Sequence, residues 1–151
     1  MTSPGSATRW AIDAVTALRI VRDDVGVGTR RTLVGPAVLR SHVLSMLYRQ
    51  VRAGLLDDET ARAELNGLAT LKIRLLGDRV SRATAWTIAR RLDWDDTMPA
   101  EYLAVATLQA DVLVAGDERI ATAAGDLIPV ADYDDLIGAP ATLPAPGGGT
   151  P

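Results

Sequence analysis

The chain has 151 residues, which is enough for one domain with a substantial core. It contains no cysteine and a single histidine, His42, which excludes a disulfide framework, a thiolate metal site and a site built from several histidines. The formal net charge of −3 gives no overall signature of nucleic-acid binding, and Lys72 is the only lysine. Residues 1–9 lack the apolar core of a signal peptide and no apolar run could span a bilayer, so we expect a cytoplasmic protein without a membrane segment.

Short apolar strands alternate with amphipathic helices along the chain. The predicted strands cover residues 9–12, 32–34, 73–76, 112–114 and 127–130. The predicted helices cover residues 14–21, 37–53, about 58–71, 78–92, 101–109, a segment from 118, and a turn at 132–137. This alternation predicts βαβ units and therefore a three-layer α/β/α sandwich with a mostly parallel sheet.

The composition divides the chain into three parts. Residues 1–8 are small and polar and are predicted to be a flexible N-terminus. Residues 9–138 form the predicted domain, and the Pro/Gly-rich residues 139–151 are predicted to be disordered. Gly26 and Gly28 give only an isolated G-x-G with no third glycine, so a flexible loop is favoured there over a dinucleotide site.

Two aspartates lie where a predicted buried strand ends and a helix begins. Asp13 follows the first strand, and Asp117 follows the strand at 112–114 after a short Ala-Gly step. In parallel sheets the ligand crevice lies at the carboxyl ends of the strands, so both aspartates are candidate site residues. An aspartate at the start of a helix also serves as an N-cap, and this alternative stays open.

Four segments resemble, in order and spacing, proteins of the PIN-domain family of the VapC type, the toxins of bacterial toxin–antitoxin pairs. They are AIDAVTAL, LVGPAVLRSHVLSMLYR, DDTMPAEYLAVATLQAD and VLVAGDERI, and the resemblance extends over about residues 10–137. It implies a PIN-like fold and an endoribonuclease whose carboxylates hold Mg²⁺ or Mn²⁺. It also implies RNA as substrate, a VapB-like antitoxin as partner, and a homodimer.

Only two of the four acidic positions of that family are kept. Asp13 and Asp117 match, and the resemblance makes them catalytic and metal-binding residues. The other two positions carry His42, in R-S-H-V, and Pro99, which offers no side-chain ligand. His42 is a candidate ligand for Mn²⁺ or Zn²⁺ rather than Mg²⁺, although a histidine at the edge of a helix core is the alternative. The resemblance therefore implies a weakly bound metal and an activity that is weakened or lost.

Other acids lie close to Pro99 in the sequence. Asp95 and Asp96 precede it, and Asp96 is a candidate replacement ligand, with helix capping as the alternative. Glu101 follows two positions later and is predicted to point to a different side of the helix.

The helix at residues 37–53 carries the candidate binding residues. Arg40 and Arg49 are candidate phosphate contacts, with ordinary surface arginines as the alternative. An antitoxin helix would lie in an apolar groove with Met46, Leu47 and Trp86 as candidate walls. Two further functions stay open: a catalytically inactive PIN domain that binds RNA or an antitoxin, and an unrelated α/β domain that binds a small molecule or nucleotide.

Overall fold

A computed structural model of the chain describes residues 7–28 and 30–138. The strands are β1 (Arg9–Ile12), β2 (Thr32–Pro36), β3 (Ile73–Leu76) and β4 (Val112–Val114). The helices are α1 (Ala14–Asp23), α2 (Leu39–Arg52), α3 (Asp58–Thr70), α4 (Arg79–Arg91), α5 (Met98–Gln109), α6 (Glu118–Ala124) and α7 (Tyr133–Ile137).

The four strands form one parallel sheet in the order β3-β2-β1-β4. Trp10 on β1 is paired with Leu33 on β2 at one side, and Ala11 is paired with Leu113 on β4 at the other. The chain therefore moves outward from β1 to β3 and then returns to the opposite side of β1. The gap between the carboxyl ends of β1 and β4 is the topological switch point of the sheet.

The helices form two groups. Helices α1, α2 and α3 pack on one another, whereas α5 packs against β1 and β2 and also contacts α4 and α6. Right-handed crossovers place groups with opposite directions of travel on opposite faces of a parallel sheet. The predicted three-layer α/β/α sandwich is thereby confirmed. Helix α5 is the most deeply buried helix, with an unbroken buried run from Tyr102 to Ala106, as expected for a helix that is apolar all round.

Two element predictions need correction. Helix α5 begins at Met98, three residues earlier than predicted, because a proline such as Pro99 is well tolerated in the first turn of a helix. The predicted strand at 127–130 is wrong, since only Val130 forms an isolated bridge, to Leu113. Pro129 has no backbone N–H to donate to a strand ladder, which limits the pairing to its carbonyl and to the next residues.

The segment before β1 is attached to the sheet. Ala7 is buried, its carbonyl accepts a hydrogen bond from the Trp10 indole, and Thr8 donates from its backbone and hydroxyl to Asp111. Residues 1–6 of the predicted flexible N-terminus and the whole predicted tail, 139–151, lie outside the described residues. Within the described residues, every helix is too short or too polar to cross a membrane.

Candidate functional site

Asp13 lies at the carboxyl end of the central strand and is 1% exposed. It is the N-cap of α1, and the Thr16 backbone N–H donates to its Oδ1 at 2.9 Å. This cap explains why an aspartate follows β1 directly, since the first N–H groups of a helix have no partner within the helix.

The same carboxylate also joins β1 to the turn that follows β4. The Gly116 N–H donates to Oδ1 at 3.1 Å, and the Asp117 N–H donates to Oδ2 at 2.8 Å. A side chain at Gly116 would meet Val15 at 2.5 Å, so glycine is needed for this close approach. Three backbone N–H groups from two separate segments therefore use both oxygens of Asp13, across the topological switch point.

Asp117 has a similar role at the next helix. It is partly buried and is the N-cap of α6, with Oδ1 accepting from the Arg119 N–H at 2.8 Å and the Ile120 N–H at 3.3 Å. The structure thus brings Asp13 and Asp117 together at one edge of the sheet, as the strand ends indicate. Both aspartates also cap helices, which was the alternative reading of each.

His42 and Tyr102 form a polar pair beside these acids. His42 Nδ1 lies 2.7 Å from the Tyr102 hydroxyl, which links α2 to the buried helix α5. Burial lowers the pKa of His42, and the nearby Arg49 guanidinium lowers it further. The carboxylates that act in the opposite direction on this pKa are Asp13, Asp117 and Asp96. Burial, together with the Asp13 charge, raises the pKa of Tyr102, so the phenol keeps its proton.

The residues around the start of α5 complete the site. Asp96 Oδ1 accepts the N–H of Met98, the first residue of α5, at 3.0 Å, and the half-buried Pro99 follows in the first turn. Glu101 is half-buried, and burial together with Asp96 raises its pKa. Glu101 therefore lies near enough to Asp96 for the two charges to interact, a contact that was not predicted from the sequence. Its position in the first helical turn was the signal that could have identified it.

The two candidate phosphate contacts differ in their position. Arg40 and Arg49 are both exposed on α2, and the Arg49 guanidinium is close enough to lower the pKa of His42. No hydrogen bond or ion pair within residues 7–28 and 30–138 joins Arg40 to the acids.

The donor set does not suit Mg²⁺, which needs near-octahedral oxygen coordination. Asp13 already accepts two backbone N–H groups at Oδ1 and one at Oδ2, and Asp117 Oδ1 caps α6. His42 Nδ1 is paired with Tyr102, and its other ring nitrogen, Nε2, suits a transition metal rather than Mg²⁺. In the described part of the chain, no group of three or more His, Asp or Glu side chains is arranged to hold a metal ion.

One of the three wall residues predicted for the antitoxin groove is wrong. Leu47 is 1% exposed and belongs to the core, so it cannot contact a partner, whereas Met46 is half-buried. Trp86 on α4 is 62% exposed, so it does not pack in the core. It lies one helical turn from Arg82 on one side and from Arg90 on the other, a juxtaposition that sequence reasoning missed although the i±4 spacing contains it.

The comparisons with known proteins bear on the fold. No protein-family model matches the sequence, and no curated protein matches it significantly. The structure is similar to the crystal structure of PAE2754 from Pyrobaculum aerophilum, with a TM-score of 0.66 and 15% sequence identity, over 87% of this chain and 95% of that chain. At this identity the likeness shows the fold alone, which is the three-layer α/β/α sandwich with a parallel sheet.

Proposed function

We propose that this chain is a PIN-like domain of the VapC type that lacks Mg²⁺-dependent ribonuclease activity and acts by binding a partner. The observation that carries the proposal is the engagement of the Asp13 carboxylate by three backbone N–H groups. A metal ion that activates water and stabilises a scissile phosphate must be fixed by several free ligands. Here the acid at the centre of the sheet serves the backbone instead.

The replaced positions support the same conclusion. Pro99 offers no side-chain ligand atom, and His42 offers a ring nitrogen, which suits Mg²⁺ poorly, in place of a carboxylate. Asp96, the candidate replacement, already accepts the Met98 N–H at the start of α5. Only one carboxylate oxygen of the two matching acids, Asp117 Oδ2, has no partner among the described residues.

An antitoxin-like helix is the partner that the surface favours. A groove of about 570 Å³ runs along α4, with Val80, Ala83, Ile88 and Leu127 in its walls and Arg79 and Arg91 beside them. Val80 is 60% exposed. An apolar groove flanked by guanidinium groups suits an acidic amphipathic helix.

RNA is the second candidate partner, and one feature favours it. Exposed Trp86 lies between Arg82 and Arg90 on α4, and an aromatic ring between guanidinium groups can stack on an unpaired base. The net charge of −3 favours the peptide over RNA.

The loss of activity is tested with a double variant, His42→Glu with Pro99→Asp. We expect the wild-type chain to leave a structured RNA uncut in Mg²⁺ or Mn²⁺. We expect the double variant to bind Mn²⁺ in calorimetry at least about 10-fold more tightly, because two carboxylates return. An aspartate in the first turn of α5 also suits the helix dipole.

A matched control separates ligation from simple charge. Ser41→Glu with Thr97→Asp adds the same two charges at exposed neighbouring positions, and we expect it to leave Mn²⁺ affinity unchanged. The proposed loss of activity is wrong if the wild type cuts RNA as well as the double variant and Asp13→Asn abolishes both activities.

The binding part of the proposal is tested by co-expression with the product of a short reading frame adjoining this one. We expect co-purification that Val80→Asp abolishes and that Arg62→Glu, on exposed α3, leaves intact. Co-purification that survives Val80→Asp would place the partner elsewhere.

A further inference from the structure

A second cavity opens at the opposite edge of the sheet. Its volume is about 710 Å³, within the range of small-molecule sites. Thr32 and Ile73, the first residues of β2 and β3, line it together with the residues that follow α1. It is therefore separate from Asp13 and Asp117, which follow the carboxyl ends of their strands.

Part of the wall of this cavity is apolar. Leu33 and Ile20 are buried residues of the core, and Ile73 and Leu71 are half-buried beside them. A strongly hydrated ion alone would leave these walls without a complementary surface. The cavity therefore suits a ligand with an apolar body.

Three cations line the same cavity, although the chain as a whole carries a net charge of −3. They are Arg31, Lys72 and Arg74, and Asp24 is the one acid among the lining residues. The ion pairs formed within residues 7–28 and 30–138 include none of these three cations. The local charge of the cavity is therefore positive and available to an anion.

Arg31 is held in place before a ligand binds. Its guanidinium carbon lies 4.9 Å from the centre of the Trp10 ring, and the side chain is half-buried. A side chain at Gly28 would collide with this guanidinium, so the glycine leaves room for it. A fixed, planar guanidinium is well suited to bidentate binding of a phosphate or carboxylate.

We propose that this cavity binds a small organic phosphate ester, with the phosphate on Arg31 and Lys72 and the apolar body against Leu33 and Ile73. A dianionic phosphate matches three cations and one acid better than a singly charged carboxylate does. The apolar walls account for a preference for the ester over free phosphate.

The proposal is tested by calorimetric titration of the full chain with phenyl phosphate, inorganic phosphate, benzoate and phenol. We expect phenyl phosphate to bind at least about 10-fold more tightly than any of the other three, since it alone carries both the dianion and the apolar body. Lys72→Met should lower the affinity for phenyl phosphate about 10-fold, because one charge-assisted hydrogen bond is lost.

Arg62→Met is the matched control, because it also removes one cation but lies on α3 in an ion pair with Asp58. We expect it to leave the affinity for phenyl phosphate unchanged, and both variants to keep the wild-type melting temperature. The proposal would be overturned if Lys72→Met and Arg62→Met lowered the affinity for phenyl phosphate equally. It would also be overturned if inorganic phosphate bound as tightly as phenyl phosphate.

Discussion

The two edges of the sheet use their polar groups in opposite ways. At the carboxyl edge, both oxygens of Asp13 accept hydrogen bonds from the protein's own backbone. At the amino edge, Arg31, Lys72 and Arg74 line an open cavity without ion-pair partners in the described residues. A topological switch point is thus a place where a ligand site can form, but the partners already taken by its side chains decide whether one does.

The largest effect should come from Asp13→Ala. The change leaves three backbone N–H groups without their acceptor, across α1 and the turn after β4. We expect the free energy of unfolding to fall by about 3 kcal/mol or more, because losing a buried charged acceptor leaves its donors unsatisfied. Urea unfolding at pH 7 measures this difference.

Asp117→Ala is the comparison for Asp13→Ala, because Asp117 caps only its own helix. We expect it to cost about 1 kcal/mol, the usual value for an N-cap. If the two variants lose equal stability, Asp13 is not the tie between β1 and β4 that the hydrogen bonds indicate.

A smaller effect on the free energy of unfolding should come from the titration of His42. Burial lowers its pKa below the ordinary value of 6.5, so just below pH 6.5 the unfolded chain binds more protons than the folded chain. The free energy of unfolding should therefore fall as the pH drops from about 6.5 towards the lower pKa of the folded state.

His42→Gln removes the titrating group while keeping a side chain that can hydrogen-bond to Tyr102. We expect the free energy of unfolding, measured with urea between pH 5 and 8, to fall less steeply with decreasing pH below about pH 6.5 in this variant than in the wild type. The same pH dependence of the free energy of unfolding in the two proteins would mean that the pKa of His42 is equal in the folded and unfolded states.

The smallest effect on the free energy of unfolding is expected for the cations at the amino ends of the strands. Lys72→Met and Arg74→Met remove exposed cations that have no ion-pair partner in residues 7–28 and 30–138. We expect the free energy of unfolding to change by no more than about 0.5 kcal/mol in thermal or urea melts, as at most surface positions. A loss comparable to that of Asp13→Ala would mean that these cations stabilise the fold.

Local patterns predicted most of the strands and helices, whereas distant contacts decide which polar groups of the candidate site already have partners. The alternation of apolar strands and helices located β1, β3 and β4 to the residue. Asp13 at a strand end was also local information. Its partners, Gly116 and Asp117, lie 103 and 104 residues further along the chain, so no local spacing could show that its oxygens are occupied.

The same limit applies to the apolar stripe of α2. Met46 and Leu47 both read as apolar, but only the packing of α2 in the fold decides that Leu47 is buried. The strand predicted at 127–130 failed for a different reason, because Pro129 was present in the sequence and argued against it. The Arg31–Trp10 contact again depends on the fold, because the two residues lie on different segments.

The pairing of β1 with β4 has a consequence for synthesis of the chain. The first strand leaves the ribosome about a hundred residues before its second neighbour, since β1 begins at Arg9 and β4 at Val112. During that time β1 has one open side and Asp13 lacks two of its three donors. Long-range parallel pairing of this kind is slow, and open strand edges favour aggregation. Truncated chains that end before β4 should therefore be retained by chaperones rather than fold.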